Sequence, residues 1–215
     1  SFYYDYEPSR FAQSREHERL QKLVKRILRN ENISVRSVNR KTLREDFELF
    51  KALYNRAWEK NWGFTPMTPR ELDALVESLG MIFDPRLSAI VSVDGEPVGF
   101  MLGAPDFNKA IKPAYPKPRE PEPVSLLKVA WHWKLRPKID GFRIPLMGVV
   151  EEHRKRGLDL VMYSHFLDQM KTMRQPYRHV DSGWVLETNQ DMMGTLKGAG
   201  MEIYRTYRFY EKALE

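Results

Sequence analysis

Three consecutive cations and a glycine mark the part of this sequence that is best suited to chemistry. Arg154, Lys155, Arg156 and Gly157 lie between an apolar run that ends at Val150 and a segment with helical periodicity. A turn from a strand into a helix presents unpaired backbone N–H groups and the positive end of the helix dipole, and a glycine lets a ligand approach the backbone closely. The pattern predicts an anion site suited to a pyrophosphate. The alternative is a solvated basic turn that only caps the helix.

Several other chemistries are excluded because their side chains are missing. The sequence contains no cysteine, which excludes a thiolate nucleophile, a disulfide scaffold and a cysteine-based zinc site. Its five histidines lack the spacing of metal ligands, so no metal is expected. No G-x-S-x-G motif is present, so serine hydrolase chemistry has no support.

The elements that must position the basic turn alternate irregularly between strands and helices. The turn joins a strand at 142–150 to a helix that runs to about residue 173, and another strand follows at 179–187. Two parallel strands joined by a helix form a βαβ unit, whereas Asp94-Gly95 predicts an antiparallel hairpin. The remaining predicted elements are strands at 33–38, 87–93 and 97–103, helices at 43–58, 69–80 and 189–197, and a strand-like stretch from 201.

Prolines concentrate between residues 105 and 123, where six of the fourteen occur. Because proline interrupts helices and central strands, this segment is predicted to be a long surface insertion. A short helix near 125–135, which carries Trp131 and Trp133, is expected to follow it.

The first thirty residues carry a separate helical signal and half of the net charge. The full chain has 35 basic and 29 acidic side chains, a net charge of +6, and residues 1–30 contribute +3. The rest is therefore only mildly basic, which makes a nucleic-acid partner the weakest hypothesis. Residues 1–30 are predicted to form a helical segment, or a junction to a preceding domain, whose apolar stripe consists of Leu20, Leu23, Val24, Ile27 and Leu28.

No apolar run approaches the length of about 18 residues that spans a bilayer. No charged segment followed by an apolar segment opens the sequence either. We therefore expect a cytoplasmic protein without a membrane partner.

Three short motifs give the sequence a family resemblance. Arg154-x-x-Gly157-x-Asp159 after a strand resembles the acyl-CoA-binding motif of the GNAT superfamily of N-acyltransferases, usually Q/R-x-x-G-x-G/A. The stretch from Trp184 to Asn189 resembles the fifth strand of that family and the asparagine that opens its fourth helix. Gly198-Ala-Gly200-Met201 resembles the turn that follows this helix, so the resemblance covers roughly residues 33–213.

The resemblance implies an α+β fold, the GNAT acyl-CoA N-acyltransferase fold. Its sheet would be mixed and mostly antiparallel, with a central parallel βαβ pair and flanking helices. Residues 31–215 would form this domain, with the Pro-rich insertion at 105–123. The sequence looks most similar to a poorly characterised branch whose members often carry two GNAT-like halves. The resemblance therefore allows a preceding GNAT-like half, or a homodimer, as a partner.

The same resemblance implies acetyl-CoA or another acyl-CoA as co-substrate. Val149 and Val150 would lie on the bulged fourth strand and contact pantetheine, and Asn189 would contact the cofactor arm. The acceptor amine, on a small molecule or a peptide, would attack the thioester directly. The pyrophosphate would be held by Arg154, Lys155, Arg156, Gly157, Leu158 and Asp159.

Two departures from the family pattern concern the site itself. Asp159 replaces a small residue beside the expected phosphates, where a carboxylate is repulsive unless it turns away or pairs with Arg156. Leu196 stands where the family often has a tyrosine that protonates the leaving thiolate.

Candidates for the proton transfers follow from the same resemblance. Tyr204, Tyr207 and Tyr210 could replace the missing acid, and Tyr210 is the candidate we name, although aromatic packing is the alternative. Glu187 is the candidate base because it ends the fifth strand near the expected thioester, and Asp181 shares its face. The alternative for Glu187 is a carboxylate that caps a helix or forms a salt bridge.

Aromatic residues between the first two domain helices would shape the acceptor pocket in this family. Trp58, Trp62 and Phe64 occupy that position, and Trp131 lies in the insertion. Aromatic walls with few charges favour an apolar or amphipathic acceptor, and a small core beneath the insertion is the alternative.

The leading hypothesis is an acyl-CoA-dependent N-acyltransferase, an N-acetyltransferase in the simplest case. The alternative is a catalytically degenerate GNAT-like domain that binds CoA or another ligand, or serves as the structural half of a tandem protein. Aminoacyl transfer from tRNA is a third hypothesis that the positive charge allows and no motif demands.

Overall fold

A sheet of seven strands organises the chain. The computed structural model describes residues 2–6, 11, 13–30, 32–59, 64–80, 84–135, 139–173, 177–208 and 210. The strands are β1 (Phe2–Tyr6), β2 (Ile33–Ser37), β3 (Ala89–Val93), β4 (Glu96–Pro105), β5 (Gly141–Val149), β6 (His179–Val185) and β7 (Glu202–Thr206). The helices are α1 (Arg15–Asn30), α2 (Leu43–Trp58), α3 (Pro69–Gly80), α4 (Asn108–Ile111), α5 (Glu122–Ala130), α6 (Leu158–Lys171) and α7 (Gln190–Gly198).

The strand order across the sheet is β2-β3-β4-β5-β6-β1-β7. Neighbouring strands are antiparallel except β5 and β6, which are parallel. Helix α6 connects these two strands, since parallel neighbours need a crossover connection. The predicted α+β fold, with a mixed and mostly antiparallel sheet and a central parallel βαβ pair, is confirmed.

Local sequence signals determine where two of these elements begin. Asp94 and Gly95 have φ angles of 51° and 86°, the left-handed conformations that a tight hairpin between β3 and β4 requires. Thr68 and Glu71 form a capping box before α3, because the Thr68 N–H donates to the Glu71 carboxylate at 2.8 Å and the Glu71 N–H donates to Thr68 Oγ1 at 3.4 Å.

Helix α6 is buried between the sheet and α1. Its residues Val161, Met162 and Phe166 are at most 1% exposed. Helix α1 packs on it through Leu20 and Val24, which are buried. The periodic apolar stripe of α1 therefore packs on its own domain. Among the described helices, none is both long enough and apolar enough to cross a membrane.

Strand β1 lies between β6 and β7 and pairs with both in antiparallel register. The sequence analysis expected a helix and no strand in the first thirty residues, because the short run of aromatic residues at 2–6 lacks apolar–polar alternation. The predicted boundary at residue 30 therefore separates elements that share one sheet. At the other end, the predicted strand-like stretch from Met201 is a strand only over Glu202–Thr206. Residues 209 and 211–215 lie outside the described part of the chain.

The Pro-rich segment connects β4 to β5 and holds α4, α5 and short 3₁₀ and π turns. An edge-to-face contact of Phe107 with Trp133, whose ring centroids are 5.0 Å apart, joins its two ends, and Lys109 forms an ion pair with Asp140 just before β5. No residue of α5 is buried. The segment therefore lies on the surface.

Candidate active site

Strands β5 and β6 diverge after a short pairing, and this divergence opens the site. Their parallel register covers Gly141–Arg143 of β5 opposite 179–181 of β6. Ile144 and Pro145 then lie opposite the single residue Gly103 of β4, which makes a bulge in β5. Pro145 also has no N–H to donate to a neighbouring strand. The sequence analysis expected Val149 and Val150 on the bulged strand; Val149 is the last residue of β5, and Val150 follows it.

Asp181 and Gly183 hold β6 in the conformation that this divergence requires. Gly183 has a φ of +75°, and its N–H donates to Asp181 Oδ1 at 2.8 Å. The other Asp181 oxygen accepts a hydrogen bond from the Tyr204 hydroxyl at 3.0 Å and is 3.1 Å from Nη2 of Arg143. Burial first, and then the charge of Asp181, raises the pKa of Tyr204 to about 12. Asp181 is thus a structural carboxylate of the strand.

A first cavity of about 130 Å³ lies between the C-terminal end of β5 and the basic turn. Gly148 and Val149 of β5, Leu158 and Asp159 of α6, and Asn189 line it. Helix α2 forms its opposite wall and approaches closely, since a Cβ on Gly148 would lie 2.7 Å from the Cβ of Ala57.

A second cavity of about 270 Å³ lies in the gap between β5 and β6. Its lining is mostly apolar and aromatic and includes Tyr54, Phe64, Ile144, Tyr163 and Trp184. Trp58, Met147, Asn189 and Met192 line both cavities, so the two form one cleft from the basic turn into the gap.

Arg154 connects α2 to β5 through hydrogen bonds. Its Nη2 donates to the Ala57 carbonyl at 2.6 Å, and its Nε donates to the Val149 carbonyl at 3.3 Å. Both acceptors are backbone oxygens, so the guanidinium is committed to holding the walls of the first cavity together. The sequence analysis had assigned this side chain to the pyrophosphate.

The other two cations of the turn differ in exposure and in partner. Arg156 donates to Nδ1 of His153 and is not among the residues that line either cavity. Lys155 lines the first cavity with 78% of its side chain exposed, and its Nζ is 3.9 Å from the Asp191 carboxylate. Lys155 is therefore the cation of the turn that is placed to meet an anion in the cleft.

Gly157 packs closely against α1. It caps α6 with a φ of +74°, and a Cβ at this position would lie 2.6 Å from Cδ1 of Ile27. The sequence analysis explained this glycine by ligand approach, because the partner on α1 is 130 positions away in sequence. The N–H groups in the first turn of α6, near Leu158 and Asp159, still lack acceptors within the helix.

The Asp159 carboxylate turns to α7. The Thr195 hydroxyl donates to Oδ2 of Asp159, and the Leu160 N–H donates to Oδ1 at 3.0 Å. The repulsion that the sequence analysis expected between this carboxylate and a phosphate is thereby reduced. Asp159 and Thr195 join the helices on the two sides of the first cavity.

The structure does not bring every predicted site residue into the cleft. Glu187 is exposed and lines neither cavity, and Tyr210 is 89% exposed. Val150 is buried in the core, where its N–H donates to the Val98 carbonyl at 2.9 Å. Trp131, which is 49% exposed, also lines neither cavity.

Several other predicted residues line the cleft. Trp58 and Phe64 line the second cavity, Trp58 and Val149 line the first, and Asn189 lines both. Asn189 also caps α7, since its Oδ1 accepts the Met192 N–H at 3.2 Å. Trp62 lies outside the described residues.

Two buried tyrosines in the second cavity were missed by the sequence analysis. Tyr54 of α2 and Tyr163 of α6 line it and are 7% and 3% exposed. Burial raises the pKa of both hydroxyls, and the nearby charge of Asp159 raises that of Tyr163 further. Both side chains are therefore neutral hydrogen-bond donors at physiological pH. The i, i+4 spacing of Asp159 and Tyr163 was the only sequence signal for the second.

No family model matches the chain. The bacterial ceramide synthase of Caulobacter vibrioides (strain NA1000 / CB15N) is 33% identical over 200 residues, which are 90% of this chain and 50% of that protein. Protein YghO of Escherichia coli (strain K12) is 30% identical over 206 residues, which are 91% of this chain and 49% of that protein. The chain thus spans about half the length of these curated relatives.

Among solved structures, a possible acetyltransferase from Clostridium difficile 630 superposes with a TM-score of 0.50 at 13% identity. The alignment covers 85% of this chain and 98% of that structure. At this level of identity the likeness concerns the fold alone. Together with the strand order, the single parallel pair and the diverging strands, it shows that the chain has the fold of the GNAT N-acyltransferases.

Proposed function

We propose that this chain transfers an acyl group from a pantetheine thioester to the amino group of an apolar acceptor. The observation that carries the proposal is the continuous cleft, which runs from the N-terminus of α6, between diverging strands, into a cavity lined by aromatic residues. A thioester donor needs these three parts in this order: a phosphate site, a slot for an extended arm, and a pocket at the reacting carbon.

The donor is acyl-CoA, held by its pyrophosphate and its pantetheine arm. Lys155 and the N–H groups in the first turn of α6 face the phosphates. From Leu146 to Val149, β5 pairs with β4 on one side, while its register with β6 ends at Arg143. The peptide groups on the open side of β5 can therefore pair with the amides of pantetheine as a further strand would.

The acceptor enters the second cavity as a neutral amine. Within the described residues, no carboxylate, imidazole or cation lines this cavity. An ammonium group would lose its hydration there without gaining a counter-ion, which is costly. The amine nitrogen attacks the thioester carbon, the C–N bond forms as the C–S bond breaks, and the nitrogen releases its proton to water.

The apolar lining favours a long alkyl chain on the acceptor. The relative named bacterial ceramide synthase also supports an acceptor with a long alkyl chain, since a ceramide is the N-acyl derivative of a long-chain amino alcohol. We therefore propose a long-chain amino alcohol as the acceptor class and an acyl chain longer than acetyl as the donor group.

Tyr163 stabilises the leaving thiolate. Its raised pKa lies above the ordinary value of about 8.5 for a thiol, so a complete transfer of its proton to the sulfur is unfavourable. It acts instead as a hydrogen-bond donor to the sulfur as negative charge develops there. The thiolate takes its proton from water after it leaves.

A direct test combines product detection with donor binding. The chain is incubated with hexadecanoyl-CoA or acetyl-CoA and either a long-chain amino alcohol or a lysine-containing peptide, and N-acylated products are identified by mass spectrometry. We expect product from hexadecanoyl-CoA with the amino alcohol. Product from acetyl-CoA and the peptide alone would keep acyl transfer and overturn the proposed acceptor class.

A catalytically degenerate domain is the second candidate function, and Leu196 favours it. This residue is fully buried at the position where the family often has its acid. A ligand that binds only the native state raises the midpoint of thermal unfolding. A raised midpoint with acyl-CoA, without release of CoA across the amine panel, would support this candidate. No rise and no release would overturn both candidates.

A further inference from the structure

Helix α1 carries a stripe of cations along one face. Five basic residues recur every three or four positions, which places them on one side of the helix. They are Arg15, Arg19, Lys22, Arg26 and Arg29, and Lys25 lies beside them. All six are exposed. With its two acids, Glu16 and Glu18, the helix has a net charge of six minus two, or +4. We call these six side chains the cationic stripe.

The contacts that the structure describes for α1 do not use the cationic stripe. Helix α1 packs on α6 through its opposite face, with Leu20 and Val24 buried and Gln21 Nε2 donating to Ser164 Oγ at 3.0 Å. In the part of the chain that the structure describes, none of the six cations forms an ion pair. Like charges at i, i+4 destabilise a helix by mutual repulsion, and an external anionic surface would relieve it.

The helix that carries the stripe lies beside the basic turn. Gln21 contacts Ser164 and Ile27 reaches Gly157, so α1 runs antiparallel to α6 and its C-terminal half lies next to the basic turn. Lys22, Arg26 and Arg29 are therefore on the half of the helix that lies next to the basic turn. A protein that binds there is placed to insert an arm into the first cavity.

Two of the three cations of the basic turn use their N–H donors within the chain. Arg154 donates to two backbone carbonyls and Arg156 to His153. Arg154 and Lys155 both line the first cavity, and Lys155 is the exposed one of the two. More exposed positive charge lies on α1 than on the turn. The charge distribution thus favours a donor whose negative charge is spread over a protein surface next to the arm.

We propose that the cationic stripe binds an acidic acyl carrier protein, which presents its acyl-phosphopantetheine arm to the cleft. The inference rests on the proposed acyltransferase function and names the donor for that site. The chemistry is the same as with acyl-CoA: the amine displaces the pantetheine sulfur, the acyl carbon forms the C–N bond, and the carrier leaves as the thiol after protonation. Leu23 and Leu28, which are 44% and 38% exposed, add apolar contacts beside the stripe.

A carrier protein fits these observations better than a membrane or a nucleic acid. The apolar face of α1 is occupied by α6, so the helix cannot insert that face into a bilayer. Electrostatic docking of a nucleic acid would not depend on the distance from the pantetheine cavity. Because the C-terminal half of α1 lies next to the basic turn, a partner that binds this helix and carries a pantetheine arm suits the arrangement best.

The test is a triple charge reversal with a matched control. Arg19→Glu/Lys22→Glu/Arg26→Glu removes the centre of the stripe. Arg40→Glu/Lys41→Glu/Arg44→Glu changes the same residue types and the same net charge at other exposed positions. The control positions lie at the N-terminal end of α2, about 20 Å along the helix from Trp58 at the cleft. Thermal unfolding checks that both variants are folded.

The measured quantity is kcat/KM with hexadecanoyl-acyl carrier protein divided by kcat/KM with hexadecanoyl-CoA. We expect the stripe variant to lower this ratio about 100-fold and the control to change it less than about 3-fold. For the unmodified chain, raising the ionic strength from about 0.05 M to 0.5 M should lower the ratio as well. This second measurement holds even if the stripe variant fails to fold.

Three outcomes would overturn the proposal. Carrier-borne donor could be inert while acyl-CoA reacts, or the ratio could be the same in the stripe and control variants. The third is stripe-dependent binding to anionic phospholipid vesicles or duplex DNA, without binding to the carrier protein. If neither donor yields product and the carrier still binds in a stripe-dependent way, the interface stands and the proposed enzymatic function fails.

Discussion

Tyr163 is assigned the role of hydrogen-bond donor to the leaving thiolate, although no sequence motif marks it for that role. It lies on α6, one helical turn after Asp159, and reaches the second cavity where β5 and β6 diverge. The position at which the family often has its acid, Leu196, is instead fully buried and apolar. A hydroxyl on a different helix can serve the same point in space, because the gap between the strands exposes α6 to the cleft.

Tyr163→Phe tests this role because it removes the hydroxyl and keeps the ring. We expect kcat for acyl transfer to fall about 10- to 100-fold, since a preorganised donor to developing charge is lost, with little change in KM for the donor. Tyr177→Phe is the control: Tyr177 is partly buried against Phe142, with ring centroids 5.3 Å apart, and lines neither cavity. Equal kcat values for the two variants would rule out the assigned role.

Neighbouring cations in the basic turn have different functions. Arg154 holds α2 to β5 through the carbonyls of Ala57 and Val149, whereas Lys155 is exposed at the first cavity. The motif alone treats both as ligands of phosphate. The difference between their functions depends on α2, because the carbonyl of Ala57, almost a hundred positions earlier in the chain, accepts the hydrogen bond from Arg154.

Arg154→Ala should lower the free energy of unfolding by about 1.5–3 kcal/mol, the range for hydrogen bonds to a charged group. Lys155→Ala should leave it within about 0.5 kcal/mol and raise KM for the donor several-fold. Urea unfolding and steady-state kinetics of the two variants provide the comparison. The reverse pattern, with Lys155→Ala the less stable variant, would show that the roles are exchanged.

At the scale of elements, Asp46 fixes the start of α2 against β2. Its carboxylate accepts hydrogen bonds from Nη1 of Arg36 at 3.2 Å, from the Asn39 N–H at 3.1 Å and from the Thr42 hydroxyl at 3.2 Å. Burial acts to raise the pKa of Asp46, but the hydrogen bonds and the charge of Arg36 outweigh it, and the pKa is lowered. The folded state therefore favours the ionised carboxylate.

Asp46→Asn should destabilise the domain by about 2–3 kcal/mol at pH 7. A carboxyl whose pKa is lower in the folded state stabilises the fold above its unfolded pKa of about 3.9, and this contribution is lost as the pH falls through the folded value. The difference from the unmodified chain should therefore shrink below about pH 4. Urea unfolding at pH 7 and pH 3 measures it.

Asp73→Asn is the control for this prediction. Asp73 also pairs with a cation, Lys51, but its side chain is 64% exposed. An exposed pair contributes little, so this variant should change stability by less than about 1 kcal/mol. A difference for Asp46→Asn that stayed constant down to pH 3 would contradict the assigned linkage.

At the scale of the whole molecule, β1 makes the sheet continuous. It separates β6 from β7 and pairs with both, so β7 is attached to the sheet through the first few residues of the chain. Sequence order gave no indication of this arrangement, because β1 and β7 are about 200 positions apart. The N-terminal segment is thus part of the domain that carries the site.

Tyr3→Pro tests the contribution of β1. Tyr3 pairs with Trp184 of β6 and with Arg205 of β7, and a proline in an interior strand removes a ladder hydrogen bond. We expect a loss of at least about 3 kcal/mol in unfolding free energy and faster amide hydrogen exchange in β7. Tyr3→Val, which keeps the N–H and a strand-favouring side chain, is the control. Unchanged exchange in β7 for the proline variant would contradict the assigned pairing.

The sequence by itself determined the features that depend on neighbouring residues. Asp94-Gly95 made the hairpin, Thr68 and Glu71 capped α3, and the order of strands and helices implied the single parallel pair. These signals are local, because turn geometry, capping and side-chain periodicity act over a few residues. Together with the family resemblance of the motifs at 154–159, 184–189 and 198–201, they identified the fold.

Tertiary structure alone decided how the residues of the site are used. Through tertiary packing, Arg154 donates hydrogen bonds to two backbone carbonyls and Asp159 accepts one from Thr195. Gly157 packs against Ile27, and Tyr163 lines the cleft. Tertiary structure also left Glu187 and Tyr210 outside and inserted β1 into the sheet. Each outcome depends on a partner far away in the chain, and a cation or carboxylate takes whichever partner the packing places within hydrogen-bond distance.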